Sequence, residues 1–289
     1  MSATTIDHTA ESVERGYNNR AAVPEHPQWL ARYVTLSNAA RALLGPKLDV
    51  RYGPNPKETL DLFLPRGAVG GLARGTFIFI HGGYWRAFDK RDFAFVAPSF
   101  VAQGIAVAVI NYDLCPDVSV ATIADECRRA VAWVMREGPA HGLDASRVVV
   151  GGHSAGGQLV ALLFATDWTA QGLARNPLAG GVTLSGIHDM APMVLASFNA
   201  DLKLDAAEAA RLSPVRLTPS TGAPLVMAVG AAETAEFILQ TRILWDAWPG
   251  NRPPGAREPL IIPARHHFSV VVDYADPGSE LTRRTLALF

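Results

Sequence analysis

The chain has 289 residues, with 26 basic and 27 acidic side chains and a formal charge of −1; like charges form no run along it, which excludes nucleic-acid binding driven by phosphate neutralisation. A composition that is 49% hydrophobic and 18% charged supplies a buried core without metal or disulfide staples, since chains of this size remove roughly three quarters of their unfolded surface from water. Cys115 and Cys127 form no CxxC pair and sit in no cysteine–histidine cluster, so no metal ligand set or redox motif is expected, and a reducing cytoplasm fits.

The opening stretch, Met1 to Gly16, is polar, carries Asp7, Glu11 and Glu14, and lacks the apolar centre of a cleaved signal. No apolar run approaches the ~18 residues of a membrane span. Trp29, Tyr33, Leu36 and Ala40 then recur at three- and four-residue steps, and Pro24 and Pro27 interrupt the pattern. Residues 1–46 are therefore expected to form an N-terminal arm whose amphipathic helix packs on a main domain of residues 47–289, a position from which such arms also roof active sites. Leu48–Tyr52 and Thr59–Leu64 alternate around Gly53-Pro54-Asn55-Pro56, the pattern of two antiparallel strands joined by a turn.

Beyond this point the rhythm changes. Short apolar runs at Phe77–Ile80, Ile105–Ile110, Val148–Val150, Val182–Leu184, Leu225–Val229 and Leu260–Ile262 alternate with helical stretches such as Phe93–Val101, Ile123–Val134 and Leu159–Ala165. Apolar strands separated by helices predict an α/β fold with a mostly parallel central sheet covered on both faces. A small cap-like insertion is expected at about Ile187–Thr221.

Sheets of this kind bind ligands at the carboxyl ends of their strands, so the residues just after each apolar run carry most information. After Val148–Val150 comes Gly151-Gly152-His153-Ser154-Ala155-Gly156-Gly157, which contains G-x-S-x-G between a strand and an apolar helix. A nucleophile at so tight a turn needs small neighbours, and the helix behind it turns free N–H groups toward developing negative charge. A phosphate-binding loop would share the glycines, but the Gly-Lys-Ser/Thr ending of that loop is missing. Ser154 is the expected nucleophile.

Further strand ends supply the partners such a serine needs. His81-Gly82-Gly83-Tyr84-Trp85 follows Phe77–Ile80, where an oxyanion loop would lie, so Gly82, Gly83 and Ala155 are the expected oxyanion donors and His81 a loop-structuring residue. A serine hydroxyl needs a histidine to take its proton and a carboxylate to hold that histidine, in the chain order Ser, Asp/Glu, His. Pro263-Ala264-Arg265-His266-His267-Phe268 follows the last strand and offers His267 as base, with His266 as fallback. Gly230-Ala231-Ala232-Glu233 follows Leu225–Val229 and offers Glu233 as acid, ahead of Glu236 in the next helix, Asp189 and Asp246.

Taken together, the HGGYW block, the GHSAGG elbow, Gly230-Ala231-Ala232-Glu233-Thr234-Ala235-Glu236-Phe237 and His267-Phe268 resemble the kynurenine formamidase (arylformamidase) branch of the α/β-hydrolases, from about Tyr52 to the C-terminus. Asn111-Tyr112-Asp113-Leu114 and Ser185-Gly186-Ile187-His188-Asp189 also look like landmarks of that family. The resemblance implies the α/β-hydrolase fold and a triad of Ser154, Glu233 and His267, with Gly82, Gly83 and Ala155 in the oxyanion hole. It implies hydrolysis of N-acyl aryl amides, such as N-formylkynurenine or N-acylanthranilates, in tryptophan or anthranilate metabolism. Tyr84, Trp85, Phe88, Trp168, His188 and Phe198 are the expected substrate-binding residues, with Met193 beside them.

A carboxylesterase acting on small or aryl esters would use the same parts. A ligand receptor on this fold would carry a broken triad. A metal-dependent hydrolase would need more than the adjacent His266-His267, which lacks the i, i+4 spacing of a zinc site. The expected partner is a small aromatic amide or ester, with no cofactor, metal, nucleic acid or membrane span; the arm and the scattered tryptophans are compatible with a homodimer.

Overall fold

The computed structural model describes residues 8–66 and 73–289; the first residues of the polar leader, including Asp7, lie outside them. The arm comprises α1 (Ala10–Tyr17), α2 (Asn19–Ala22) and α3 (His26–Leu44). Thr9 caps α1 by accepting from the Ser12 N–H (3.1 Å), and Asn18 caps α2 by accepting from the Ala21 N–H (3.0 Å). Gly45 ends α3 in the left-handed region at φ +59°. On α3, Tyr33 and Ala40 are buried while Trp29 and Leu36 are partly so, the face the spacing predicts.

After the arm come β1 (Lys47–Arg51), β2 (Thr59–Phe63), β3 (Thr76–Ile80), a 3₁₀ segment over Lys90–Val96, α4 (Ala97–Val101), β4 (Ala106–Ile110), α5 (Val120–Arg136), β5 (Val148–His153) and α6 (Ala155–Phe164). Then follow β6 (Leu178–Leu184), the short helices α7 (Asn199–Leu202) and α8 (Ala206–Arg211), β7 (Leu225–Gly230), α9 (Ala235–Ala247), β8 (Leu260–Ile262) and α10 (Glu280–Leu286). Among the described residues the strands form one sheet in the order β1-β2-β4-β3-β5-β6-β7-β8. The β1–β2 and β2–β4 pairs are antiparallel and the rest parallel.

The absence of polar alternation has a direct cause. Phe77, Phe79, Val107, Val109 and Val149 pack into one apolar cluster with Tyr33, Phe100 and Tyr274, while Ile78, Ile80, Ala108, Val148 and Val150 pack into another with Ile123, Leu159 and Phe237. Both faces of the central strands are therefore buried, as a parallel sheet between two helical layers requires. Only β1, at the edge, exposes a charged ladder through Lys47, Asp49 and Arg51, which blunts the edge against further strand pairing.

Two elements differ from expectation. The helix expected over Phe93–Val101 is split into the 3₁₀ segment and α4, because Pro98 has no N–H to donate back and the α-helical ladder cannot run through it. β6 begins at Leu178, four residues before the apolar run. Its Gly180 and Gly181 lower the hydropathy, yet Leu288 and the Phe164 ring fill the space their side chains would take. No helix of the described residues is long and apolar enough to cross a membrane.

Candidate active site

Ser154 stands between β5 and α6 at φ +57°, ψ −120°, a strained conformation for a residue with a side chain. Two close approaches explain its glycine neighbours. A Cβ at Gly152 would come 2.2 Å from the Gly156 carbonyl oxygen, and one at Gly156 would come 2.1 Å from that of Ile80. The Ser154 N–H donates to the Leu184 carbonyl (2.8 Å), pinning the turn to the end of β6.

The loops after β7 and β8 bring Glu233 and His267 to this serine. His267 Nε2 lies 3.0 Å from Ser154 Oγ, and its Nδ1 lies 2.7 Å from Glu233 Oε2. A carboxylate only accepts, so Nδ1 carries the proton and Nε2 presents its lone pair to the serine hydroxyl. The Glu233 side chain is buried, and its other oxygen, Oε1, accepts from the Ser185 hydroxyl (2.5 Å) and the Gly230 N–H (2.8 Å). Both oxygens are thus committed, and the carboxylate cannot rotate away from the imidazole. Ser185, itself at φ +52°, directly follows β6; the sequence places it in a landmark of the family resemblance but gives it no role, although it holds a strand-end position like the others.

His266, the fallback base, points elsewhere: its ring meets Trp29 edge-on and its Nε2 lies 3.8 Å from Glu25 on the arm. Glu236 sits in the first turn of α9, where its Cγ would lie 2.3 Å from any Cβ placed at Gly16 of α1, and its Oε2 is buried without a partner among the described residues. Asp189 serves as a turn residue, accepting from the Ala191 N–H (3.0 Å).

The loop after β3 crosses in front of the serine. A Cβ at Gly82 would stand 2.9 Å from Ser154 Cβ, and the N–H groups of Gly82 and Gly83 donate to no acceptor among the described residues. The Ala155 N–H opens α6 and has no intrahelical acceptor. His81 anchors the loop from behind, stacked on Tyr112 (4.2 Å between ring centres), with Nε2 3.2 Å from Asn111 Oδ1. Burial lowers its pKa to about 4, so the ring is neutral.

A cavity of about 460 Å³ opens over Ser154 and His267. One wall is the loop after β3, with Tyr84, Arg86 and Phe88; a second is Ser197 and Phe198 of the insertion; the base carries His153, Tyr33, Phe93 and Phe268. The roof is the arm, through Val13, Glu14, Tyr17, Asn18, Asn19 and Arg20. It is tied down at several points. The Tyr84 hydroxyl donates to the Tyr17 carbonyl, Thr234 Oγ1 donates to the Gly16 carbonyl (2.7 Å), Gln240 Nε2 donates to the Tyr17 hydroxyl (2.7 Å) and the Ser197 hydroxyl donates to Glu14 (2.8 Å). Arg86 pairs with Asp201 of the insertion at 2.6 Å.

Three of the expected substrate-binding residues lie away from this cavity. Trp85 is fully buried, its indole N–H donating to Gln158 Oε1 (3.2 Å); Trp168 is buried against α6, donating to the Leu163 carbonyl (3.1 Å). His188 is enclosed in the core with Nε2 3.1 Å from Thr183 Oγ1, and burial lowers its pKa to about 3. Met193 is likewise core. Large aromatic side chains at strand ends bury more apolar area in the core than in a wet cavity, and only backbone direction decides between the two. Tyr84, Phe88 and Phe198 do line the cavity; the residues the sequence reading missed are those of the arm and His153, Phe93 and Phe268. The described residues contain no group of three or more histidine, cysteine or acidic side chains placed to hold a metal.

The comparisons with known proteins agree with this architecture. The BD-FAE family profile matches residues 60–180. A kynurenine formamidase of Salmo salar is 29% identical over 255 residues, covering 86% of this chain and 84% of its own, and one of Danio rerio is 28% identical over 254 residues with the same coverage. Among solved structures, a candidate thioesterase of Silicibacter sp. TM1040 superposes with a TM-score of 0.80 at 31% identity, covering 92% of this chain and 96% of its own. Esterase B of Lactobacillus rhamnosis superposes at a TM-score of 0.67 and 21% identity, covering 93% of this chain and 96% of its own, a likeness of fold.

Proposed function

Because the chain belongs to the kynurenine formamidase-like branch of the α/β-hydrolase superfamily and is a hydrolase of that type, we propose that it is a serine hydrolase cleaving N-acyl aryl amides, such as N-formylkynurenine or N-acylanthranilates, through an acyl-enzyme on Ser154. The observation that carries this reading is the unbroken relay from Glu233 through His267 to Ser154, at 2.7 and 3.0 Å, facing the unpaired N–H groups of Gly82 and Gly83.

In this mechanism Ser154 Oγ attacks the acyl carbon while His267 Nε2 takes the hydroxyl proton, and Glu233 stabilises the imidazolium. The oxygen of the tetrahedral intermediate meets the N–H groups of Gly82 or Gly83 and Ala155, each such donor lowering the barrier by about 3 kcal/mol. His267 returns the proton to the aryl nitrogen, which leaves as the arylamine. Water, deprotonated by His267, then releases the carboxylic acid and restores the serine. Tyr84, Phe88 and Phe198 supply aromatic surface for the aryl ring, in a cavity within the usual range for small-molecule sites. A carboxylesterase would use the same relay, and the substrate separates the two.

The test compares the purified chain with Ser154→Ala on N-formylkynurenine, an N-octanoylated anthranilate and a short p-nitrophenyl ester. The proposal expects turnover of an aryl amide that Ser154→Ala abolishes while the variant stays folded. Turnover of the ester alone would replace it with the carboxylesterase reading, and unchanged kcat in Ser154→Ala would overturn the mechanism itself.

A further inference from the structure

Ser185 directly follows β6, and its main chain is tied to the neighbouring strand, its N–H donating to the Ala228 carbonyl of β7 (2.7 Å). The residue is fully buried, takes no part in the cavity wall and stands at φ +52°, in the left-handed region that a side chain disfavours. Such strain persists where the surrounding structure holds it, and it clusters at active sites because it places a side chain there. The side chain placed here is a hydroxyl, and its one hydrogen-bond partner among the described residues is Glu233 Oε1, at 2.5 Å.

Glu233 is held from three adjacent strand ends. The Gly230 N–H at the end of β7 and the Ser185 hydroxyl after β6 both donate to Oε1, while His267 Nδ1, after β8, donates to Oε2. The last torsion of a glutamate side chain is soft. Two donors, one on each oxygen, would define a line about which the carboxylate plane can still turn; a third, from a different strand, fixes the plane. The direction of Oε2 then sets the direction of the Nδ1–H it accepts, and with it the aim of the opposite ring nitrogen, Nε2, which lies 3.0 Å from Ser154 Oγ. The residue before Ser185 reaches the nucleophile itself, since the Leu184 carbonyl accepts the Ser154 N–H (2.8 Å). Two consecutive residues at the end of β6 therefore touch both the nucleophile turn and the acid.

We infer that Ser185 is a positioning residue for the reaction: its hydroxyl fixes the plane of the Glu233 carboxylate and, through it, the aim of His267 at Ser154. The inference rests on the serine-hydrolase reading above and adds to that relay a fourth side chain, one that acts only through Glu233.

The experiment measures kcat and KM of the wild type, Ser185→Ala and Ser185→Gly on whichever of an N-formyl aryl amide and a p-nitrophenyl ester the wild type turns over. It also records, in each free protein, the low-field proton resonance of the His267–Glu233 hydrogen bond. Glycine removes the hydroxyl and adopts a positive φ without strain, so the test stands even if Ser185→Ala folds poorly. The expected result is a kcat lowered about tenfold in both variants with KM unchanged, because the lost contact orients the relay and leaves the binding surface intact. The low-field resonance should shift and broaden as the carboxylate gains freedom. An unchanged kcat overturns the role of Ser185, and so does a lowered kcat with the resonance at its wild-type position and width, since the hydroxyl would then act otherwise than through Glu233. A loss in Ser185→Ala that Ser185→Gly lacks assigns the effect to the backbone and overturns it as well. A wild type that turns over neither substrate overturns the serine-hydrolase reading itself, an outcome distinct from full turnover that the variants leave unchanged.

Discussion

Replacing Glu233 by glutamine tests the relay at the member whose surroundings are most constrained. Glu233 Oε1 accepts two hydrogen bonds, from the Ser185 hydroxyl and the Gly230 N–H, and the second donor is main chain and cannot turn round. A glutamine must therefore keep its carbonyl oxygen on that side and present its NH₂ to His267 Nδ1. Nδ1 then has to accept, the ring proton moves to Nε2, and the nitrogen facing Ser154 becomes a donor that cannot take the hydroxyl proton. The expected loss in kcat is about 10⁴-fold, as for the same change in other serine-triad enzymes, equivalent to about 5 kcal/mol of barrier. Side-chain volume is preserved and no buried donor loses its acceptor, so the variant should keep the circular dichroism and unfolding midpoint of the wild type. The assay is the initial rate on an N-formyl aryl amide, followed by arylamine absorbance, with Glu236→Gln in parallel. Glu236 makes no hydrogen bond to His267 or Ser154 among the described residues, and its substitution should cost only a few-fold. A loss below tenfold in Glu233→Gln, or a larger loss in Glu236→Gln, would refute the assignment of the acid.

Two further predictions concern stability. Gln158 joins the loop after β3 to the insertion, accepting from the Trp85 indole N–H and donating to the Leu212 carbonyl (2.8 Å); Gln158→Leu strands both buried partners and should cost about 3 kcal/mol, lowering Tm by roughly 6–10 °C. An unchanged Tm by calorimetry would contradict that link. His81 and His188 are buried neutral, with pKa values lowered from 6.5 to about 4 and about 3. Their contribution to stability is present above pH 6.5 and is lost as pH falls toward those values, because the unfolded chain takes up protons that the buried rings refuse, by about 3 kcal/mol for each ring at pH 4. Urea midpoints that stay level between pH 7 and pH 4.5 would contradict this.

The parts of this site that obey local rules were readable from the chain. Ser154 lies in a glycine-bounded turn between strand and helix, and Glu233 and His267 stand at the ends of apolar runs, so strand-end logic reaches both. The cavity wall was not readable in the same way. Tyr84 and Trp85 are adjacent aromatics, both at positive φ, and that backbone sends one ring to the cavity and the other into the core. No composition rule separates them. Trp168 and His188 failed for the same reason: their place after an active-site element says nothing about which way the chain turns. The arm was hidden differently. The sequence placed the arm where such arms roof active sites but singled out no residue of it for the cavity, and only the tertiary hydrogen bonds of Gly16 and Tyr17 bring Glu14, Asn18, Asn19 and Arg20 over Ser154. Ser185 opens the Ser185-Gly186-Ile187-His188-Asp189 landmark, but that stretch names no role for it; the role comes from the hydroxyl it gives to Glu233.

The order in which these pieces leave the ribosome has its own consequence. The roof is made first, the serine in the middle, and His267 comes 113 residues after Ser154. A nascent or half-folded chain therefore carries an ordinary serine alcohol, and the nucleophile comes into being only when the last strand has joined the sheet. An electrophilic phosphonate directed at Ser154 would act as a clock for folding, labelling chains in proportion to completed β7–β8 pairing rather than to chain length or early collapse.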